Sequence, residues 1–298
     1  MSIKFPPDFD PFYPITQTRK FDDILFGIVP IKERENLPNS ENNPLNLNAI
    51  WEIPHKLGDE IRWQFDALGK GRILEGQIDN GAHLLNRGKI YIGKNARIFP
   101  GAVLNAENGP IYISENVIIE PNAVLTGPLF IGGNSLIRSC SQISECSIGQ
   151  VCKIGGEVAE TMIQGYTNKQ HSGFLGHAVI GEWCNLGADT TNSDLKNNYS
   201  NIIVRGVDTG SQFVGLMMGD HCKTAIGTLF NTGTVVGVGS LLFGKGLLPN
   251  EIKPFSWGTT RKWASFEQFL ETAKIVMARR NVAMSAEEEK TLREIFED

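Results

Sequence analysis

The chain of 298 residues has no apolar stretch long enough to span a bilayer, and Met1 to Asp10 carry no apolar run of the kind that opens a secretory leader. No membrane partner is expected, and a cytoplasmic protein is. Basic charge does not dominate either. With 28 Lys and Arg against 33 Asp and Glu the net charge is -5, which argues against nucleic acid as a partner of the whole molecule. Cysteines are few and odd in number: Cys140, Cys146, Cys152, Cys184 and Cys222, with no C-x-x-C pair. That speaks against a disulfide framework and against a zinc site, and for reduced thiols; no metal is expected. Closely spaced glycines beside a strand, which a loop cradling a nucleotide triphosphate requires, do not occur between Met1 and Asn86.

Turn-forming residues are abundant, with 32 glycines and 14 prolines, and one stretch organises the rest. Counting by sixes from Ile113 meets Ile119, Leu125, Ile131, Ile137 and Ile143, each followed by a small or polar residue. A period of six suits neither an amphipathic helix nor an alternating strand. It suits a solenoid whose coil has three flat sides of six residues, each aliphatic pointing into a narrow shaft. Ile113 should then lie beneath Ile131, Ile119 beneath Ile137 and Leu125 beneath Ile143. The expected fold is mainly β, a parallel β-helix of hexapeptide repeats with a small N-terminal α/β segment and C-terminal helices.

Three regions follow. Residues 1–86 carry no hexapeptide pattern and read as a short α/β segment. Residues 87–250 read as the β-helix, with its period broken at Gly165 to Phe174 and again at Asn192 to Gly210, both read as loops leaving the coil. Residues 251–298 read as a helical extension covering the last coil; Ser265 and Ser285, each three residues before Gln268 and Glu288, look like helix caps.

The repeat resembles the left-handed β-helix acyltransferases, and that resemblance supplies the hand. Its most specific part runs from His171 through Phe174-Leu175-Gly176, Ile180-Gly181 and Asn185-Leu186-Gly187-Ala188-Asp189-Thr190. That stretch is similar to the glucosamine-1-phosphate acetyltransferase domain of the bifunctional UDP-N-acetylglucosamine pyrophosphorylases. Gly181 to Asp189, Phe255-Ser256-Trp257-Gly258 and Phe12 to Arg19 also resemble a less characterised branch of sugar nucleotidyltransferases from Bacteroidetes-type bacteria. The resemblance implies acetyl-CoA as cosubstrate, an amino-sugar phosphate or nucleotide sugar as acceptor, and a homotrimer. It also implies that residues 1–86 are a shortened nucleotidyltransferase-like segment, too small for a doubly wound sheet. Phe174 stands where the family has Tyr, and Asp189 where it has Gly.

Acetyl transfer to an amine needs a base, and a histidine of ordinary pKa serves at neutral pH. His171 is the expected general base. Asn185 would hold the amino sugar, with Phe174, Ala188 and Thr190 lining the same place by carry-over from the family. Lys169 would meet a substrate phosphate as a point charge. Lys223, Lys245 in the Gly244-Lys245-Gly246 turn, and Arg261 would meet the phosphates of coenzyme A. His55, His83, His177 and His221 read as structural, and Trp183 and Trp257 as packing. Two readings of other classes stand beside this one: a non-catalytic trimeric scaffold descended from such an enzyme, and a sugar-1-phosphate nucleotidyltransferase with an atypical N-terminal domain.

Overall fold

The computed structural model describes residues 5–69, 71 and 73–298; residues 1–4, 70 and 72 of the N-terminal segment lie outside the described residues. Ile113 pairs with Ile131, Ile119 with Ile137 and Leu125 with Ile143, all in parallel register and all buried. Repeating that register builds a parallel β-helix of about ten turns. Each turn visits three walls in order. The first wall is a nine-stranded sheet from Ile90–Ile92 to Glu251–Ile252. The second runs from Gln77–Ile78 to Asn168–Lys169, then through Asn185 to Lys223–Thr224 and beyond. The third runs from His83–Leu85 to Phe174–Gly176. Aliphatic side chains stack in one column per wall, and the three columns meet as one cluster that fills the shaft.

The coil limits differ from those expected. Leu74 bridges Ile92, Gln77–Ile78 pairs with Arg97–Ile98, and His83–Leu85 pairs with Val103–Asn105, so the solenoid begins well before residue 87. Ile78 and Leu84 are six apart, but Ile92, the next residue in the column of Ile113 and Ile131, follows only eight residues later, so the beat is hidden there. At the other end Glu251–Ile252 and Ser256–Trp257 still pair with the coil before them, carrying the solenoid past residue 250.

The corner between the first and second walls demands a left-handed backbone, which Asn adopts at little cost. Asn95, Asn116 and Asn134 take it, and their side chains form a ladder with links of 3.2 Å. Further along, the same corner is taken by Tyr166, Trp183 and His221, rings stacked at 4.1 and 6.4 Å. That change from amide to aromatic is where the C-terminal helices dock.

Helix α1 spans Glu52–Leu68 and buries Ile53, Leu57 and Ile61, four residues apart and so on one face. It packs with Ile24 and Phe26 onto the outer side of the first wall, against Phe130, Met162 and Val179. Gln64 ties the segment together, accepting from the amides of Ile28 (2.5 Å) and Val29 (3.1 Å) and donating to the carbonyl of Phe26 (2.8 Å). Its strands Leu25–Phe26 and Val29–Pro30 form one antiparallel pair. Among the described residues nothing in this segment forms a doubly wound sheet. The stretch Phe12 to Arg19 is spent on the solenoid instead. Gln17 accepts from the amide of Val238 at 3.1 Å, Thr18 donates to Asp220 at 2.5 Å, and the buried Arg19 pairs with Asp220 and, at 3.5 Å, with Glu182.

Helices α2 (Phe266–Ala278) and α3 (Ala286–Glu297) are capped as expected, by Ser265 and by the reciprocal Ser285–Glu288 pair. They pack through Phe266, Phe269 and Leu270 against Val238 and Phe255 of the last coils. Gly239 makes room, since a Cβ there would come within 2.6 Å of the Phe255 ring. Phe269 also meets His221 edge-on at 6.0 Å and Arg280 reaches Asn168, so this tail runs down the aromatic corner as well as covering the last coils. All five cysteines are free; burial pushes the thiols of Cys146 and Cys152 up to about 12.

Candidate functional site

Gly165 to Phe174 is not thrown outward as expected. Met162–Gly165, Asn168–Lys169 and Phe174–Gly176 occupy the three walls in turn and form a complete coil. The six-residue beat vanishes there because Lys169 takes the aliphatic place, paired with Ile154 inside the shaft. Its ammonium donates to the carbonyls of Gly155 and His171 at 2.9 Å each and approaches that of Ser172 at 3.5 Å. Burial pulls its pKa down to about 8. The expected contact of Lys169 with a substrate phosphate is therefore corrected, for the charge is enclosed and already spent on main-chain oxygens. What it does is hold the turn that carries His171.

That turn is fixed from the other side as well. The amide of Asp189 donates to the carbonyl of Ser172 at 3.0 Å, and the Ser172 hydroxyl donates to the Asp189 carboxylate. Gly173 has φ +109°, and a Cβ on it would lie 2.2 Å from the carbonyl oxygen of Thr190. Only glycine fits so close an approach in that conformation. On this braced turn His171 is exposed, and among the described residues its ring makes no hydrogen bond.

Asn185 lies on the next coil. It bridges Asn168 on one side and Lys223 on the other, in the outward row of the second wall, and accepts from the Asn168 amide at 3.4 Å. Lys223 is thus brought directly beside Asn185, and Trp257 and Arg261 continue the row through Leu241. Lys245 sits elsewhere, exposed in the turn between the second and third walls. That is the corner His171 occupies. Successive links from Ser172 to Asp189, from Ala188 to Gly227 and from Leu229 to Leu248 place Lys245 three coils on, about 14 Å away at the usual strand spacing. The structure puts Ala188 half-buried on that same corner, and Phe174 half-buried with its ring against Gly176. Thr190 does not line the open face. It is buried, with its hydroxyl donating to the carbonyl of Gly187 at 2.7 Å and sharing a 2.8 Å contact with that of Thr224, and its expected substrate contact is corrected.

The remaining histidines differ from His171 in kind. His177 is held between Asp194 (2.8 Å) and Glu160 (2.7 Å); burial disfavours its charge, but the two carboxylates outweigh it and raise the pKa to about 9. Burial drives His221 down to about 4. His55 contacts the Ser211 hydroxyl at 3.0 Å, and exposed His83 lies in the first coil. The second departure leaves the coil only after Asn192, which is still paired with Phe230 and buried, and carries the hairpin Ile203–Val204 and Val207–Asp208, which packs with α1. Sequence reasoning missed Arg279 and Arg280, at the end of α2, which face Asn185 across a cavity; their only signal was a pair of adjacent arginines closing a helix.

The chain is 34% identical over 141 residues to the bifunctional protein GlmU of Rippkaea orientalis, a match covering 46% of this chain and 30% of that protein. It resembles the hexapeptide-repeat acyltransferases. To the GlmU of Methanococcus maripaludis it is 29% identical over 104 residues, covering 34% of this chain and 25% of that one. The chain thus spans under a third of the length of either GlmU in the matched part. Among solved structures it is similar to the UDP-N-acetylglucosamine acyltransferase from Campylobacter jejuni, at 13% identity and a TM-score of 0.32, over 74% of this chain and 93% of that one. No family model matches. Among the described residues no helix is long and apolar enough to cross a membrane, and no group of three or more His, Cys, Asp or Glu is placed to hold a metal ion.

Proposed function

We propose that the protein is an acyltransferase moving an acetyl group from acetyl-CoA to the amine of an amino-sugar phosphate or nucleotide amino sugar. His171 acts as general base. The amine nitrogen attacks the thioester carbonyl while the His171 imidazole takes the proton that the nitrogen sheds. The tetrahedral intermediate then collapses, the carbon–sulfur bond breaks, and the imidazolium returns that proton to the departing thiolate. Asn185 orients the acceptor, and the corner from His171 to Lys245 is the track for the coenzyme. The observation that carries this reading is an exposed imidazole, without a hydrogen-bond partner among the described residues, on a turn braced by Lys169 and Gly173 one coil from Asn185. The assembly is proposed to be a homotrimer, as the resemblance implies.

The test is thiol release from acetyl-CoA in the presence of a panel of amino-sugar phosphates and nucleotide amino sugars, with the N-acetyl product identified by mass. Release dependent on at least one acceptor supports the reading. No acceptor-dependent release, together with no binding of acetyl-CoA by calorimetry, would leave a scaffold.

A further inference from the structure

The cavity beside Asn185 is charged with one sign. It measures about 220 Å³ and lies between the outer face of the second wall and the end of α2, lined by Tyr166, Asn168, Asn185, Lys223, Arg279 and Arg280 among others. Among the described residues no carboxylate lines it. Among the described residues none of its three cations pairs with an acid, although acids outnumber bases in the chain. Arg34, Arg97 and Arg138 each meet a carboxylate within 3 Å. Among the described residues the Lys223 ammonium has one hydrogen-bond partner, the carbonyl of His221 at 3.2 Å, and burial holds it below the usual lysine range. Arg280 makes one side-chain hydrogen bond, to Asn168 at 3.3 Å.

Arginines closing a helix are often explained by the helix dipole alone. That account does not reach Lys223, which comes from the solenoid and lines the same space from the opposite side. Lys223 and Arg280 are half-buried and Arg279 is exposed. Gathering three like charges on one cavity without a counter-charge is costly, most of all where water is partly excluded, and an anion between them recovers that cost. Two guanidinium forks with an ammonium match the oxygens of a phosphate monoester.

We propose that this cavity is a phosphoryl-binding subsite, in which Lys223, Arg279 and Arg280 hold a phosphate beside Asn185. Which phosphate it takes, that of the acceptor sugar or that of the coenzyme ribose, rests on the acyl-transfer reading above; the anion site itself does not. The subsite would fix the acceptor or donor relative to the turn bearing His171 and would make the enzyme selective for phosphorylated ligands.

The test is titration calorimetry on the full chain with inorganic phosphate, glucosamine 1-phosphate, unphosphorylated glucosamine and adenosine 3′,5′-bisphosphate. The wild-type chain should bind phosphorylated probes and not glucosamine, more weakly as salt rises. Arg279→Gln/Arg280→Gln should weaken that binding by about tenfold or more, the loss of charge-assisted hydrogen bonds, while Arg87→Gln, at the far end of the solenoid, should not. Loss confined to glucosamine 1-phosphate assigns the acceptor's phosphate, and loss confined to the bisphosphate assigns the coenzyme's. Should the double variant unfold, Lys223→Met read the same way decides. Unchanged affinities in both variants, or no phosphorylated probe bound by the wild type, would overturn the proposal. If phosphate binding depends on these residues but no acceptor is acetylated, the subsite stands and the acyl-transfer reading falls.

Discussion

The ammonium of Lys169, inside the shaft, donates to the main-chain carbonyl of His171, which stands outside it, at 2.9 Å. A buried charge thereby sets the backbone from which the proposed base projects. Lys169→Met keeps an apolar side chain in the column and removes the donor to Gly155, His171 and Ser172. We expect a folded solenoid by circular dichroism, with turnover reduced more than substrate affinity because the turn is no longer fixed. A KM effect with unchanged kcat would argue that Lys169 acts on the substrate instead.

Gly173 supports the same turn by being small. Gly173→Ala would drive a methyl group into the carbonyl of Thr190 from a φ of +109°, and such strain costs about 1 to 3 kcal/mol. Thermal unfolding should shift down and acetyl transfer should fall with it, whereas Gly206→Ala, also at positive φ (+81°) but with nothing within 4 Å of a Cβ, should lower stability by its backbone strain alone and leave transfer unchanged.

His177 gives stability a pH dependence of defined sign. Its folded pKa, raised to about 9 by Asp194 and Glu160 against the opposing effect of burial, lies above the ordinary value of 6.5. The protonated ring therefore contributes stability that is fully present below pH 6.5 and is lost as the pH rises through 9, on the order of 3 kcal/mol in all. Urea unfolding between pH 6 and 9.5 should show that decline, and His177→Gln should flatten it.

Arg19 joins the N-terminal segment to the solenoid through Asp220 and Glu182. Removing one partner of a buried ion pair costs about 3 to 5 kcal/mol, because the other charge is left uncompensated. Arg19→Met should lower the urea midpoint and open residues 5–50 to limited proteolysis. If proteolysis is unaffected, the segment is held by its apolar face alone.

Where an aliphatic residue recurs every six positions, as from Ile113 to Ile143, the columns of the shaft can be read directly, because inward packing tolerates little else. Elsewhere the beat is masked by chemistry. Lys169 and Asn192 occupy buried places that an apolar residue would otherwise mark, each satisfying main-chain groups, Asn192 through Gly176 at 2.9 and 3.0 Å. His171 and Asn185 could be singled out through their resemblance to a known spacing, since an exposed side chain leaves no trace in a burial pattern. Arg279 and Arg280 lie about a hundred residues from the coil they face and follow no period, so only the fold brings them to Asn185.

The proposed role of His171 is tested most directly by acceptor-dependent thiol release from acetyl-CoA by His171→Ala, measured beside the wild-type chain at equal fold by circular dichroism. Losing a general base should cut turnover by a factor on the order of 10² or more, with binding of the phosphorylated acceptor largely kept. Turnover close to the wild-type value in a folded His171→Ala chain would contradict the assignment.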